Sequence, residues 1–231
     1  MISENLKKIN LKIKEICKKN NISQNDIMLL AVTKTHPLEK IEEALENGIS
    51  YIAENKVQDA GNKIPFIKNS YKEFHFIGHL QSNKINKLLK INPTLIHSID
   101  KISTAKKLNE QLQSLGRIQN ILIQVNTSGE ESKSGINPKN TIEFVKSISK
   151  FENLKIKGLM TIGMFTDDKK IIRNCFKDLR LLFNEIKDME INNVDMKYLS
   201  MGMSNDFEIA LEEGANIIRL GSIIFGAREY F

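Results

Sequence analysis

A lysine at the end of an apolar run is the first residue with evident chemistry. Lys34 closely follows the run MLLAV at residues 28–32, and Pro37 ends the segment. An unbroken apolar run of this length is typical of a strand buried on both faces, as in a parallel sheet. Partial burial at the strand end would lower the pKa of the ammonium, and an unprotonated amine forms a Schiff base with an aldehyde. The alternative is an ordinary solvated lysine.

Two glycine–serine segments near the carboxyl terminus have the composition of an anion site. Gly202 and Ser204 stand where a helix is expected to begin, and Gly221 and Ser222 follow the last apolar run. Helix amino termini present unpaired N–H groups and a positive dipole end, so they bind phosphate. The alternative is that Ser204 only caps a helix and Gly221 only makes a turn.

Arg219 lies inside the apolar run IIRL at residues 217–220, so it needs a fixed acceptor. The acceptor is either a structural carboxylate or a heteroatom of a ligand.

His79 follows an apolar run and Gly78, where it is either a general base or a hydrogen-bonded packing residue. The four histidines lack the spacing of metal ligands, so no metal site is predicted.

A Schiff-base lysine and a phosphate site at one place indicate a phosphorylated aldehyde, and pyridoxal 5′-phosphate (PLP) meets both requirements. Arg219 could then face the pyridine nitrogen. Because arginine rarely gives up its proton, it would leave that nitrogen unprotonated and weaken the ring as an electron sink. Such a site holds the cofactor but is poorly suited to stabilising carbanions.

Eight short apolar runs alternate with amphipathic helices, after a first helix that Ser3 is expected to cap. Ser103 is likewise expected to cap the helix after the fourth run. Each run ends in a polar or glycine residue, and alternating units of this kind predict a parallel sheet. Eight units favour a closed (β/α)8 barrel of the α/β class, in which the strand ends share one mouth. An open doubly wound sheet would normally carry a glycine-rich nucleotide turn, which is missing. The runs are 28–34, 51–53, 74–77, 95–99, 121–125, 156–162, 197–201 and 217–220.

Composition excludes several classes. The chain has 231 residues, 41% of them hydrophobic, which suits one barrel domain spanning residues 1–231. The net charge of +6 is spread over amphipathic segments without an aromatic-interleaved basic patch, so nucleic-acid binding is not expected. Without a signal or membrane-spanning stretch, and with only the two lone cysteines Cys17 and Cys175, a cytoplasmic protein is expected.

Seven motifs resemble those of the pyridoxal phosphate homeostasis proteins, the YggS/PROSC family, in order along nearly the whole chain. They are AVTKTHP (31–37), ENKVQDA (54–60), FHFIGHLQSNK (74–84), VNTSGEESKSG (125–135), GLMTIG (158–163), LSMGMSNDFEIAL (199–211) and IRLGSIIFGAR (218–228).

The resemblance implies the barrel of the alanine racemase N-terminal domain (PLP fold type III) and a PLP carrier or buffer rather than an enzyme. PLP would form an aldimine with Lys34 and transfer transiently to apoenzymes, and the protein is expected to be a monomer. The implied cofactor-binding residues are Lys34, Asn55, Met201, Ser204, Arg219, Gly221 and Ser222. From their places after apolar runs, Gly202 and His79 are added to this predicted set. His36 and Ser222 depart from the lysine and threonine common in the family.

Two other functions stay open at this stage. An amino-acid racemase would need acid–base groups on both faces of the cofactor, and none of the four tyrosines stands beside a strand-end motif. A Schiff-base aldolase would act on a sugar phosphate without PLP. The loop EESKS at 130–134 is expected to be solvated, with Lys133 able to reach a ligand in the mouth.

Overall fold

The chain forms a closed barrel of eight parallel strands in sequential order. The computed structural model describes residues 1–226. The predicted eight-stranded barrel and its extra N-terminal helix are therefore confirmed, while residues 227–231 of the expected domain lie outside the described range. The strands are β1 Met28–Val32, β2 Tyr51–Glu54, β3 Glu73–Phe76, β4 Leu95–Ile99, β5 Gln119–Gln124, β6 Leu154–Met160, β7 Val194–Ser200 and β8 Ile217–Leu220.

Helices follow the strands and cover the outside of the barrel. They are α1 Ile2–Lys19, α2 Leu38–Glu46, α3 Val57–Lys63, α4 Ile85–Ile91, α5 Ile102–Ser114, α6 Thr141–Ile148, α7 Lys169–Asp188, α8 Phe207–Glu212 and α9 Ser222–Phe225. Within residues 1–226, no helix combines the length and the apolar character needed to span a bilayer.

The core has two parts, because the side chains of each strand alternate between the two faces of the barrel wall. One part fills the space between strands and helices and includes Ala31, Phe76 and Ile218. The other fills the barrel interior and is formed by Leu30, Ala53, Leu95, Leu122, Met160 and Ile217. Cys17 and Cys175 are both buried and not joined in a disulfide.

The barrel closes where the first strand pairs with the last. Leu30 on β1 is opposite Arg219 on β8, and Ala31 is opposite Leu220. The same strand pairs with β2, where Val32 is opposite Ala53. The segments that follow β8, β1 and β2 are therefore neighbours at the mouth, although they are far apart in sequence.

Helix α1 packs on the outside of this closure. Its buried stripe contains Ile2, Leu6, Ile9, Ile13 and Cys17, and it lies against α2, α8 and α9. Asn5 Nδ2 donates a hydrogen bond of 3.0 Å to the carbonyl oxygen of Ile224 in α9. Helix α1 thus packs against α8 and α9, the helices that precede and follow β8 in the chain.

Three predicted helix starts are wrong. Helix α1 begins at Ile2, so Ser3 lies within its first turn and does not cap it. Helix α5 begins at Ile102, and the expected cap, Ser103, lies inside it. Helix α8 begins at Phe207 rather than near Ser204, because Asp206 Oδ1 accepts the N–H of Met203 at 2.5 Å and holds residues 203–206 in a separate turn.

Candidate functional site

The predicted site residues come after different strands, and all the strands point the same way. Lys34 follows β1, Asn55 follows β2, and Gly78 and His79 follow β3. Met201, Gly202 and Ser204 follow β7, while Gly221 and Ser222 follow β8. Since the carboxyl ends of parallel barrel strands meet at one mouth, the fold brings these segments to the same face.

Lys34 is half-buried, and the backbone on each side of it is fixed. Thr33 donates its N–H to the Ala53 carbonyl at 2.9 Å. Thr35 has a φ of 65°, an uncommon value for a residue other than glycine, so the chain turns sharply after Lys34. These contacts hold the lysine at the rim of β1.

A buried ion pair also fixes the backbone next to Lys34. Glu54, at the end of β2, accepts hydrogen bonds at Oε1 from Thr33 Oγ1 at 2.8 Å and from Lys63 Nζ at 2.7 Å. Lys63 Nζ also donates to the Thr33 carbonyl at 3.0 Å. The sequence analysis missed this use of Thr33, Glu54 and Lys63, although a glutamate at the end of an apolar run was a usable signal.

Asn55 has a close backbone neighbour and an unused side-chain atom. A Cβ built on Gly78 would lie 1.8 Å from the Asn55 carbonyl oxygen, so only glycine fits there. The Oδ1 atom of Asn55 is buried and has no hydrogen-bond partner among the described residues. Because buried amides are normally hydrogen-bonded, this one indicates a polar group of a ligand.

The segments after β7 and β8 face each other through Ser204. Its Oγ accepts the N–H groups of Gly221 and Ile223, each at 3.4 Å. Gly202 has a φ of +90°, and a Cβ on it would lie 2.5 Å from the Ala210 Cβ, so this turn needs glycine. Backbone N–H groups with a hydroxyl beside them can bind an anion such as phosphate.

The remaining members of this region differ in exposure. The Ser222 hydroxyl is at an exposed position at the start of α9. Met201 is fully buried and packs in the core between the barrel wall and the helices. A contact of either side chain with a ligand stays a prediction.

Arg219 points into the barrel and bonds to neutral acceptors. It donates from Nη1 to Ser200 Oγ at 2.7 Å and from Nη2 to the Thr161 carbonyl at 2.8 Å. No carboxylate in residues 1–226 forms an ion pair with it, so a structural carboxylate is not its direct partner. Burial lowers the pKa of Arg219 to about 10, against the opposing effect of the Asp206 charge, so it stays a cation at neutral pH.

Asp206 lies close enough to Arg219 for their charges to interact. Burial raises the pKa of the Asp206 carboxyl, while the Met203 N–H and the Arg219 charge act to lower it. The carboxylate therefore balances part of the arginine's charge through space and leaves the guanidinium to bond elsewhere.

His79 and Lys133 have different surroundings. His79 is exposed and lines a groove with Gln81, Lys101 and Ser103, a groove that contains none of the other predicted residues. Lys133 Nζ donates to the Gly163 carbonyl at 2.9 Å and pairs with Glu130. The sequence predicted a solvated loop at 130–134. The structure differs, because Lys133 connects this loop to the segment after β6.

Within residues 1–226, no group of three His, Cys, Asp or Glu side chains is arranged to hold a metal ion. Lys34, Arg219 and the Ser204–Gly221 contact give the mouth three features that can bind a ligand, beside the Asn55 amide. They offer an amine, a cation and a set of backbone N–H donors.

Comparison with known proteins identifies the family. A family model, the N-terminal domain of alanine racemase, matches residues 5–229. The chain is 38% identical over 227 residues to the pyridoxal phosphate homeostasis protein of Aquifex aeolicus, with 98% of each chain covered.

Solved structures agree with this assignment. PipY of Synechococcus elongatus, solved with PLP bound, is 28% identical with a TM-score of 0.82, and the match covers 98% of this chain and 100% of PipY. An alanine racemase of Clostridium difficile, 17% identical, shares the fold with a TM-score of 0.73 over 96% of this chain and 56% of its own. The chain therefore belongs to the family of pyridoxal phosphate homeostasis proteins, which is built on the barrel of the alanine racemase N-terminal domain.

Proposed function

We propose that this protein binds PLP and acts in PLP homeostasis in the cytoplasm, with Lys34 as the residue that carries the cofactor. The observation that carries the proposal is the pairing of β1 with β8, because it makes the segment holding Lys34 a neighbour of the Gly221 turn. A Cβ on Gly221 would lie only 3.4 Å from the Val32 carbonyl oxygen. One small molecule with an aldehyde and a phosphate can therefore contact both.

The residues present fit PLP. Ser204, Gly221 and Ser222 would hold the phosphate, and Gly202 would let the backbone approach it. Arg219 would donate to the pyridine nitrogen, and the unpartnered buried amide of Asn55 would bond to a polar ring substituent. In the same proposal, Met201 and His79 line the PLP site.

When bound, PLP supplies an aldehyde that condenses with an amine. The chain's own contribution is to hold Lys34 at the mouth, to exclude water from Arg219 and to present N–H donors to the phosphate. Because Arg219 keeps its proton, it leaves the ring nitrogen without one, and the ring withdraws electrons weakly. This favours storage and transfer of PLP over catalysis.

We propose that the protein is not an enzyme and that it works as one monomeric unit. Its partners would be PLP and, transiently, apoenzymes that need PLP, and neither nucleic acid nor a membrane surface would be among them. Exchange of the α-proton of L-alanine in deuterated water, measured on PLP-loaded protein, tests this. Exchange at an enzymatic rate would favour a racemase instead.

Absorbance and mass spectrometry test the binding role. Protein mixed with PLP is expected to gain a visible absorption band that borohydride removes, and the reduced pyridoxyl group is expected on Lys34. Lys34→Ala should lack both, whereas Lys40→Ala, which alters an exposed lysine in α2, should keep them. A pyridoxyl group on Lys133, or a protein that stays colourless, would contradict the proposal, and the second result would favour an aldolase.

A further inference from the structure

Four polar side chains form a hydrogen-bonded line through the barrel interior, from the start of β3 to Arg219. Glu73 Oε2 lies 2.7 Å from His75 Nε2, and His75 Nδ1 lies 2.9 Å from His97 Nε2. His97 Nδ1 lies 3.0 Å from Ser200 Oγ, the atom that accepts from Arg219. We call Glu73, His75, His97 and Ser200 the interior network.

The network crosses the barrel and is closed to water except at one end. His97 is on β4 and Ser200 is on β7, strands that are not neighbours, so their contact spans the interior. His75, His97 and Ser200 are completely buried, whereas the Glu73 side chain is 29% exposed. Polar groups buried in this way are costly unless each is paired, so the line is a built feature of the core.

With His97 neutral and Glu73 ionised, the bonding rules allow two complete arrangements. In the first, His75 is neutral and donates from Nε2 to Glu73, so its Nδ1 must accept from His97 Nε2–H. His97 Nδ1 then accepts the Ser200 hydroxyl hydrogen. Every bond runs from Arg219 toward Glu73.

The second arrangement holds one more proton. His75 is then a cation that donates from Nε2 to Glu73 and from Nδ1 to His97, and His97 donates from Nδ1 to Ser200. The Ser200 hydroxyl hydrogen turns away from His97, and its oxygen accepts from both His97 and Arg219. The charge on His75 therefore decides the tautomer of His97 and how Ser200 receives Arg219.

The charged groups around the network keep His97 neutral and Glu73 ionised, as both arrangements require. Burial lowers the pKa of His97 well below its usual value, and the charges of His75 and Arg219 act in the same direction. The hydrogen bond from His75 lowers the pKa of Glu73, with smaller help from the charges of His75 and Lys197. Asp206 is the charged group that faces Arg219 at the other end.

We propose that the interior network positions Arg219. When His75 takes up a proton, the hydrogen bonds between His75, His97 and Ser200 reverse direction, and the hydrogen bond from the Arg219 guanidinium to Ser200 is weakened. The effect on a ligand rests on the proposed PLP site, where Arg219 would face the ring nitrogen. The residues of the network are positioning residues, since they act on the ligand only through Arg219.

Nitrogen NMR of the PLP-free protein tests the network directly. Long-range ¹H–¹⁵N spectra distinguish the two neutral imidazole tautomers, and the chain has only four histidines to assign. We expect His97 to carry its hydrogen on Nε2 while His75 is neutral and on Nδ1 once His75 is protonated, with one midpoint for the two changes. A His97 tautomer that ignores the titration of His75, or that is Nδ1–H while His75 is neutral, overturns the proposal.

The pH profile of PLP retention supplies the second readout. We compare the affinity for PLP above and below the pH at which the His97 tautomer changes. In wild-type protein this affinity should fall about fivefold more than in His75→Gln, which lacks the titrating ring. The reason is that one hydrogen bond of Arg219 is weakened. Equal profiles in the two proteins would overturn the positioning role. If His75→Gln does not fold, the wild-type NMR titration still decides.

The two measurements separate this inference from the proposed function. A protein whose His97 switches tautomer but which does not bind PLP supports the network and contradicts the PLP proposal. A protein that binds PLP through Lys34 while His97 keeps one tautomer does the reverse.

Discussion

Glu54 is fully buried and forms an ion pair with Lys63. Lys63 bonds to its Oε1, and Glu54 Oε2 has no hydrogen-bond partner within residues 1–226. The same lysine bonds to the Thr33 carbonyl, next to Lys34. At the scale of single residues, the position of the candidate nucleophile therefore depends on an ion pair beneath it.

Removing Lys63 is expected to be costly. Lys63→Met leaves the Glu54 carboxylate buried and unpaired, so the free energy of unfolding should fall by about 3–5 kcal/mol in urea denaturation. The matched control is Lys146→Met, because Lys146 forms an exposed ion pair with Glu143 at 2.8 Å. That change should cost less than about 1 kcal/mol. Equal losses for the two variants would show that the Glu54 pair is not specially stabilising.

The residues with direct chemistry could be predicted from sequence, and those that support them could not. Lys34 and Arg219 stand out because each is a cation in or beside an apolar run. Lys63 does not stand out among 34 lysines and arginines, because it lies at the end of helix α3 and its partner, Glu54, lies on the strand before that helix. His75 and His97 were considered only as metal ligands, since nothing in their spacing reveals that adjacent strands place them 2.9 Å apart.

At the scale of elements, close backbone approach sets the shape of the mouth. Gly78 follows β3 and lies against the Asn55 backbone, which follows β2. Gly158 does the same within β6, where a Cβ would lie 1.8 Å from the Tyr198 carbonyl oxygen of β7. In both places the strands can approach only because a side chain is missing.

Gly78→Ala tests this packing. The added Cβ would collide with the Asn55 backbone, so we expect a loss of about 1–3 kcal/mol in the free energy of unfolding and weaker PLP binding. Gly61→Ala, within α3, is the matched control. The added Cβ would meet only Ile91 Cδ1, at 3.7 Å. That variant should gain about 0.4–1 kcal/mol. A harmless Gly78→Ala would contradict the assigned contact.

The turn before α9 gives a second prediction at this scale. Ser204→Ala removes the hydroxyl that faces the N–H groups of Gly221 and Ile223. We expect the dissociation constant for PLP to rise about tenfold, the loss of roughly one hydrogen bond to a charged group. Ser114→Ala, an exposed change at the end of α5, is the control and should leave the constant unchanged. Unchanged binding in Ser204→Ala would exclude the hydroxyl from the phosphate site.

The order of elements was predictable and their exact starts were not. Alternating apolar runs and amphipathic helices were enough to predict eight strands, and the barrel is confirmed. The start of α8 was misplaced because Asp206 forms a local turn with the Met203 N–H, so the first serine in the segment is not the cap. Serines at a predicted helix start are ambiguous because they also suit turns and first-turn positions.

For the whole molecule, the buried His97 makes stability depend on pH. Its pKa is lowered in the folded state, whereas an unfolded histidine titrates near 6.5, so the unfolded chain takes up the proton first. The contribution of the neutral ring is complete above about pH 6.5 and is lost as the pH falls below that value. The slope should approach about 1.4 kcal/mol per pH unit.

Urea denaturation of PLP-free protein at pH 7.5, 6.5 and 5.5 checks this slope. His79→Gln should show the same decline, because His79 is exposed and cannot be its source. A free energy of unfolding that stays constant down to pH 5.5 would mean that His97 is protonated without cost in the folded protein.

The pairing of β1 with β8 also has a consequence for how the protein is made. A ribosome completes Lys34 early and the Gly221 turn late, so a growing chain carries the reactive amine long before its phosphate-binding turn exists. The cofactor pocket is assembled only when the eighth strand docks beside the first. Capture of the aldehyde with its phosphate held in place is therefore expected only in molecules whose eighth strand has docked.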